Sequence, residues 1–169
     1  MTQSNLGLLP VSPASPRVVD EFLRGLTAAA STLGLQVHVL QASTEEDFNK
    51  AFDALSQLRA DALVITPDVF LTSNSERLAA LSLSHAVPSV FHYREFAAAG
   101  GLMSYGSDET EYYRLIGSYA GRILKGENPA DLPVVQATKV ELILNLKTAK
   151  ALGISVPLSL LGRADEVIE

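Results

Sequence analysis

Few side chains here combine the type and spacing that chemistry requires, and those few gather in short loops. His38, His85 and His92 share no metal-ligand interval, and no carboxylate stands at an obvious ligand spacing from them. The sequence has no cysteine, which excludes disulfides, thiolate metal sites and a cysteine nucleophile. It contains no Gly-x-x-x-x-Gly-Lys-[Ser/Thr], no Gly-x-Gly-x-x-Gly and no Gly-x-Ser-x-Gly. Asp68, Glu95 or His92 could serve as an acid or base only if a pocket brought two of them within hydrogen-bond reach. The residues therefore point to binding without chemistry: no catalytic group, no metal and no cofactor.

The binding candidates sit in or beside four loops: Ser12-Pro13-Ala14-Ser15, Pro67-Asp68-Val69-Phe70, His92-Tyr93-Arg94-Glu95 and Gly106-Ser107. Ser12-Pro13-Ala14-Ser15 offers hydroxyls at the start of a helix. There, free backbone N–H groups suit a carboxylate or other anion, although an ordinary N-cap and turn would use the same residues. Asp68, in Pro67-Asp68-Val69-Phe70, could accept a ligand ammonium or simply make an Asx turn. Phe70, Tyr93 and Tyr105 could wall an apolar pocket or pack into the core. Arg94-Glu95 reads as a local ion pair of little worth if exposed. His92 is the one histidine near these loops, and structural or exposed roles fit it as well.

Alternating elements must carry these loops. Leu6–Leu9, Gln36–Leu40, Ala62–Ile65, Ser89–Phe91 and Leu102–Tyr105 are short apolar runs that read as strands. Between them lie helical stripes: Val19, Phe22, Leu23, Leu26, Ala30 and Leu33, then Phe48, Ala51, Phe52, Leu55 and Leu58, then Leu78, Ala79 and Leu81. Ser43-x-x-Glu46 and Ser73-x-x-Glu76 have the form of capping boxes. A long helix from Asp108 to Lys125 shows an apolar face of Tyr112, Leu115, Ile116, Tyr119 and Ile123. Gly100-Gly101 reads as a turn.

Strand and helix alternating with short connections predict a mainly parallel, doubly wound α/β sheet covered on both sides, a three-layer αβα lobe. In such sheets ligands bind beyond the carboxyl ends of the strands, where all four candidate loops fall. After Gly126 the rhythm changes. Asn128-Pro129 and Leu132-Pro133 are loop signals, Lys139–Asn145 alternates as a strand, and a short helix follows. This predicts an α/β domain over 1–126 and a strand–helix tail over 127–169.

Composition narrows the partners. Nearly half the residues (47%) are hydrophobic, enough for a buried core. The formal charge of −6, with Lys and Arg scattered singly, excludes the clustered basic face of a nucleic-acid binder. No run approaches the ~20 apolar residues of a membrane span. Met1-Thr2-Gln3-Ser4-Asn5 shows no basic leader region, so a cytoplasmic location is expected if Met1 is the true start.

Several stretches resemble the substrate-binding proteins of ABC transporters related to tryptophan and tyrosine uptake. They are Arg94-Glu95-Phe96, Gly100-Gly101-Leu102-Met103-Ser104-Tyr105-Gly106, and Arg122-Ile123-Leu124-Lys125-Gly126 with Pro129-Ala130-Asp131-Leu132-Pro133. Glu141-Leu142-Ile143-Leu144-Asn145-Leu146-Lys147-Thr148-Ala149-Lys150-Ala151-Leu152-Gly153 and Arg163-Ala164-Asp165-Glu166-Val167-Ile168 complete the set. The resemblance implies one lobe of a type I periplasmic binding protein, periplasmic or lipid-anchored. Such a protein closes over a small solute, for which an amino acid or aromatic compound is the class suggested, and hands it to ABC permease and ATPase subunits. Only the second half of such proteins is resembled, so the first lobe is missing and the tail would complete it. The resemblance also places Ser12, Ser15 and Asp68 on the cleft, with Glu95 and Tyr105 on the same rim.

Two expectations follow. Deprived of the first lobe's sheet, the apolar Lys139–Asn145 strand becomes an edge, which predicts a homo-oligomer through the tail. The competing reading is the effector-binding domain of a transcription regulator, which would need a helix-turn-helix that this sequence does not show.

Overall fold

A computed structural model of the chain describes residues 4–10, 16–135 and 139–169, with the backbone alone for 16–22. Seven strands form one sheet in the order β2-β1-β3-β4-β5-β6-β7. β1 (Ser4–Leu9), β2 (Leu35–Val39), β3 (Ala62–Ile65), β4 (Ser89–Phe91) and β5 (Met103–Ser107) run parallel. β6 (Val140–Asn145) is antiparallel to β5, and β7 (Glu166–Ile168) is parallel to β6. The helices are α1 (Pro16–Thr32), α2 (Glu45–Leu58), α3 (Val69–Ser73), α4 (Ser75–Ser84), α5 (Arg94–Ala98), α6 (Glu109–Leu124), α7 (Leu146–Ala151) and α8 (Leu158–Leu161). The doubly wound α/β architecture expected from the alternation is the one observed.

One face of the sheet holds the main core. The predicted α2 stripe of Phe48, Ala51, Phe52 and Leu55 is buried against Leu9, Leu63 and Ile65, joined by Leu71, Leu78, Phe91 and Phe96 from the following units. Gly7 lets α2 approach, because a Cβ there would collide with the Leu55 side chain. The ladder register puts Val64, Val90, Met103, Tyr105 and Leu142 on the opposite face.

The α2 cap lies one residue later than Ser43-x-x-Glu46 implied. The Asp47 carboxylate accepts from the Thr44 N–H (3.0 Å), the Thr44 hydroxyl (2.8 Å) and the Ser43 N–H (3.2 Å). These bonds, the Thr44 hydroxyl first, hold the Asp47 carboxyl down to about 2. A depressed carboxylate adds stability that is complete above its unfolded value, near 4, and is lost as pH falls toward 2. Asp47→Asn should therefore lower stability at neutral pH and flatten the acid limb of a pH–stability curve. Chemical denaturation between pH 2 and 5 reads this directly. Ser73-x-x-Glu76 is likewise not the cap of α4, whose N-cap residue is Asn74.

Two expectations about the C-terminal third change. The Val140–Asn145 strand is not a bare edge, since β5 flanks it on one side and β7 on the other. That removes the reason for assembly through the tail. Residues 140–168 continue the same sheet that begins at Ser4, so a boundary at 126 does not divide the sheet. What leaves the sheet is α6. No residue of this helix is buried, and Tyr112, Ile116 and Ile123 of its predicted inner face are 52%, 47% and 41% exposed.

Candidate functional site

The parallel strands β1, β3, β4 and β5 all end at one edge of the sheet, the mouth, and the loops that follow them build the site. Two cavities lie side by side there. One, of about 340 Å³, is lined chiefly by His92, Glu95, Ser107, Asp108, Glu109 and Glu141. The other, of about 410 Å³, is lined by Pro67, Asp68, Val69, Thr72, Ser73, His92 and Glu109. They share His92 and Glu109, so together they form one trough across the ends of β3, β4 and β5.

His92 follows β4 directly. Its ring stands edge-on to Phe91, with centroids 4.5 Å apart, and its Nδ1 is buried with no hydrogen-bond partner among the described residues. Burial pushes the imidazole pKa down, so the ring is neutral at pH 7. Glu109 opens α6. Burial first, and the Glu95 charge second, push its carboxyl up. Tyr93 is raised as well, by burial and then by the Glu95 and Glu109 charges.

The cations bordering the trough are engaged. Arg94 makes a forked pair with Glu166 (Nε–Oε2 3.0 Å, Nη2–Oε1 2.7 Å), not with Glu95 as the sequence suggested. Lys139 bridges Asp108 (2.9 Å) and Glu141 (2.7 Å), and this holds Asp108 below the usual carboxylate range. The trough is therefore acidic and polar. Among the described residues, no group of three or more His, Asp and Glu side chains is placed to hold a metal ion.

Of the sequence candidates, Asp68 and Glu95 line the trough and Asp68 has a second duty. It caps α3, accepting from the N–H of Phe70 (2.6 Å) and of Leu71 (3.4 Å), the local role weighed against ligand binding. Phe70 stacks on Phe48 at 5.3 Å against the core. Tyr93 is half-buried and packs against the same core cluster. Tyr105 does not reach the trough. It pairs with Leu142 on the opposite face, where it is 60% exposed beside another cavity. Ser12 and Ser15 lie outside the described residues. His92 and Glu109 line both cavities but were not among the proposed ligand-binding residues. The sequence put His92 directly after a strand and near the mouth without making it a ligand group, and Glu109 could have been found from its place in the first turn after β5.

Gly100 and Gly101 are more than a turn. Gly100 has φ +108°, and a Cβ on Gly101 would come within 2.2 Å of the Phe96 ring. Phe96, fully buried and edge-on to Phe91 at 5.7 Å, thereby fixes α5, which carries Arg94 and Glu95.

A family model described as ABC transporter substrate binding protein matches residues 11–168. Among solved structures, a conserved domain protein from Vibrio cholerae matches with TM-score 0.84 and 22% identity over 97% of this chain and 54% of its own. An ABC domain from Streptococcus pneumonia, in complex with L-Trp, matches with TM-score 0.83 and 24% identity over 98% and 56%. A ligand-free, open substrate binding protein with adhesive properties from Clostridium difficile gives TM-score 0.68 and 21% identity over 98% and 54%. At such identities the likeness concerns the fold. The chain spans about half the length of these structures. Among curated proteins no match is found.

Proposed function

Because this chain belongs to the family of ABC transporter substrate binding proteins, we propose that its trough is one jaw of a clamp that holds a small solute without transforming it. The observation carrying this reading is the polar trough across the ends of β3, β4 and β5, where open parallel sheets take their ligands. His92 offers a neutral ring, and Glu95 and Glu109 offer acceptors for a donor or ammonium group. In the full transport system the binding protein would work outside the cytoplasm and pass the solute to a permease driven by an ATPase. No described helix is long and apolar enough to cross a membrane.

An amino acid or small aromatic compound is the first solute class to try. A thermal-shift screen of these, followed by calorimetry, tests the reading. A captured solute should raise the melting temperature of the wild type. Glu109→Gln or His92→Ala should weaken it about 10- to 100-fold, the effect of losing a hydrogen bond to a charged group. A solute recovered chemically altered after incubation would reject the reading, and so would a screen in which nothing shifts the wild type.

A further inference from the structure

The charges of the trough do not balance. Six carboxylates line it: Asp68, Glu95, Asp108, Glu109, Glu141 and Glu166. Two cations stand against them, and both are committed. Arg94 is forked onto Glu166, and Lys139 bridges Asp108 (2.9 Å) and Glu141 (2.7 Å). Asp68, Glu95 and Glu109 are left with no ion pair among the described residues. Of these, Asp68 caps α3, and Glu95 accepts from the Tyr93 hydroxyl. His92 adds no positive charge, since burial keeps its imidazole neutral at pH 7.

Glu109 differs from the other two. It lines both cavities, and burial first, then the Glu95 charge, weigh against its ionised form, with no hydrogen bond or cation to offset them. A carboxylate that loses water without gaining a partner is costly. A cation seated beside Glu109 opposes both causes at once, because it favours the ionised carboxylate and counters Glu95. An anion finds the reverse. The hydroxyls of Thr72, Ser73, Ser107 and Thr110 can donate to a solute carboxylate, but they cannot answer its charge.

We propose that the trough selects solutes of net positive charge, namely alkyl amines and diamines, and that Glu109 sets this preference. A basic amino acid fits the same rule only with its carboxylate turned out of the trough. The inference rests on reading the trough as a solute site, and it narrows the class of solute that the site takes.

Four solutes of similar chain length separate charge from size. At pH 7, 1,5-diaminopentane, lysine, norleucine and glutamate carry about +2, +1, 0 and −1. Each is titrated into the isotope-labelled chain and followed by its amide NMR signals, up to about 20 mM because a single jaw buries little of a small ligand. Affinity should fall in that order, with the diamine about tenfold or more tighter than norleucine and the shifts centred on 92–95 and 106–110. Added salt should weaken the diamine most. Glu109→Gln, which keeps the side chain's size, should cut the diamine's affinity about 10-fold or more and leave norleucine nearly unchanged. Asp53→Asn, the same loss of charge on an exposed position of α2, should change neither. Norleucine or glutamate held in the trough as tightly as the diamine overturns the preference and leaves the clamp reading standing. A diamine response spread over the surface, or indifferent to both Glu109→Gln and Glu95→Gln, overturns it as well. Trough amides that no solute moves, charged or neutral, defeat the clamp reading and the preference together.

Discussion

Phe96→Ala should cost the fold about 3–5 kcal/mol, the range for truncating a fully buried aromatic. For a domain of this size that lowers the melting temperature by roughly 6–20 °C. The site of the loss matters as much as its size. Phe96 is wholly buried, meets Phe91 edge to face, and occupies the space that Gly101 leaves open. It is the anchor of a five-residue helix too short to hold itself, and that helix carries Arg94 and Glu95. Differential scanning calorimetry should show the drop. Hydrogen exchange should locate its first effect at 94–101, with α2 still protected.

Gly106→Val should be the most damaging single change at the mouth. A Cβ on Gly106 would overlap the carbonyl of His92, a backbone atom that cannot swing aside as a side-chain tip can. Either β5 withdraws from β4 or the 92–93 turn is pushed outward, and overpacking of this kind costs about 1–3 kcal/mol or more. Because His92 and Gly106 both line the trough, solute affinity should fall further than stability does. Gly106→Ala, with the same Cβ but less bulk, should show the same pattern more mildly. If Gly106→Val melted with the wild type and bound equally well, the close approach of these two strands would carry no weight.

The layout of strands and helices was readable because burial on both faces leaves short apolar runs and burial on one face leaves helical stripes. Ala62–Ile65, Ser89–Phe91 and Val140–Asn145 fall where those patterns put them. The same reasoning stopped at α6. Periodicity says that a helix has an apolar face, not what covers it, and Tyr112 and Ile116 look alike whether they meet a sheet or solvent. The tail misled for a related reason, since alternation marks a strand but not its neighbours.

Trough-lining residues were legible where a loop follows a parallel strand, as for Asp68. Tyr105 could have been set aside from sequence, because it shares a face with Met103 while Ser104 and Gly106 share the other. His92 was placed near the mouth yet not made a ligand group, because a lone histidine carries no spacing signal. Its significance comes from Glu109, seventeen positions away in sequence and brought to the same trough by β5 and α6.

Ser107 and Val140 sit opposite one another in the β5–β6 ladder. The thirty-odd residues between them are therefore an insertion whose two ends already touch. Deleting 108–139 and joining the strands by a two-residue turn such as Asn-Gly would give a plain antiparallel hairpin at that corner. Topologically the sheet is self-contained and the excursion is an accessory that it can shed. A chain shortened in this way would keep its core while losing α6 and its exposed apolar side chains.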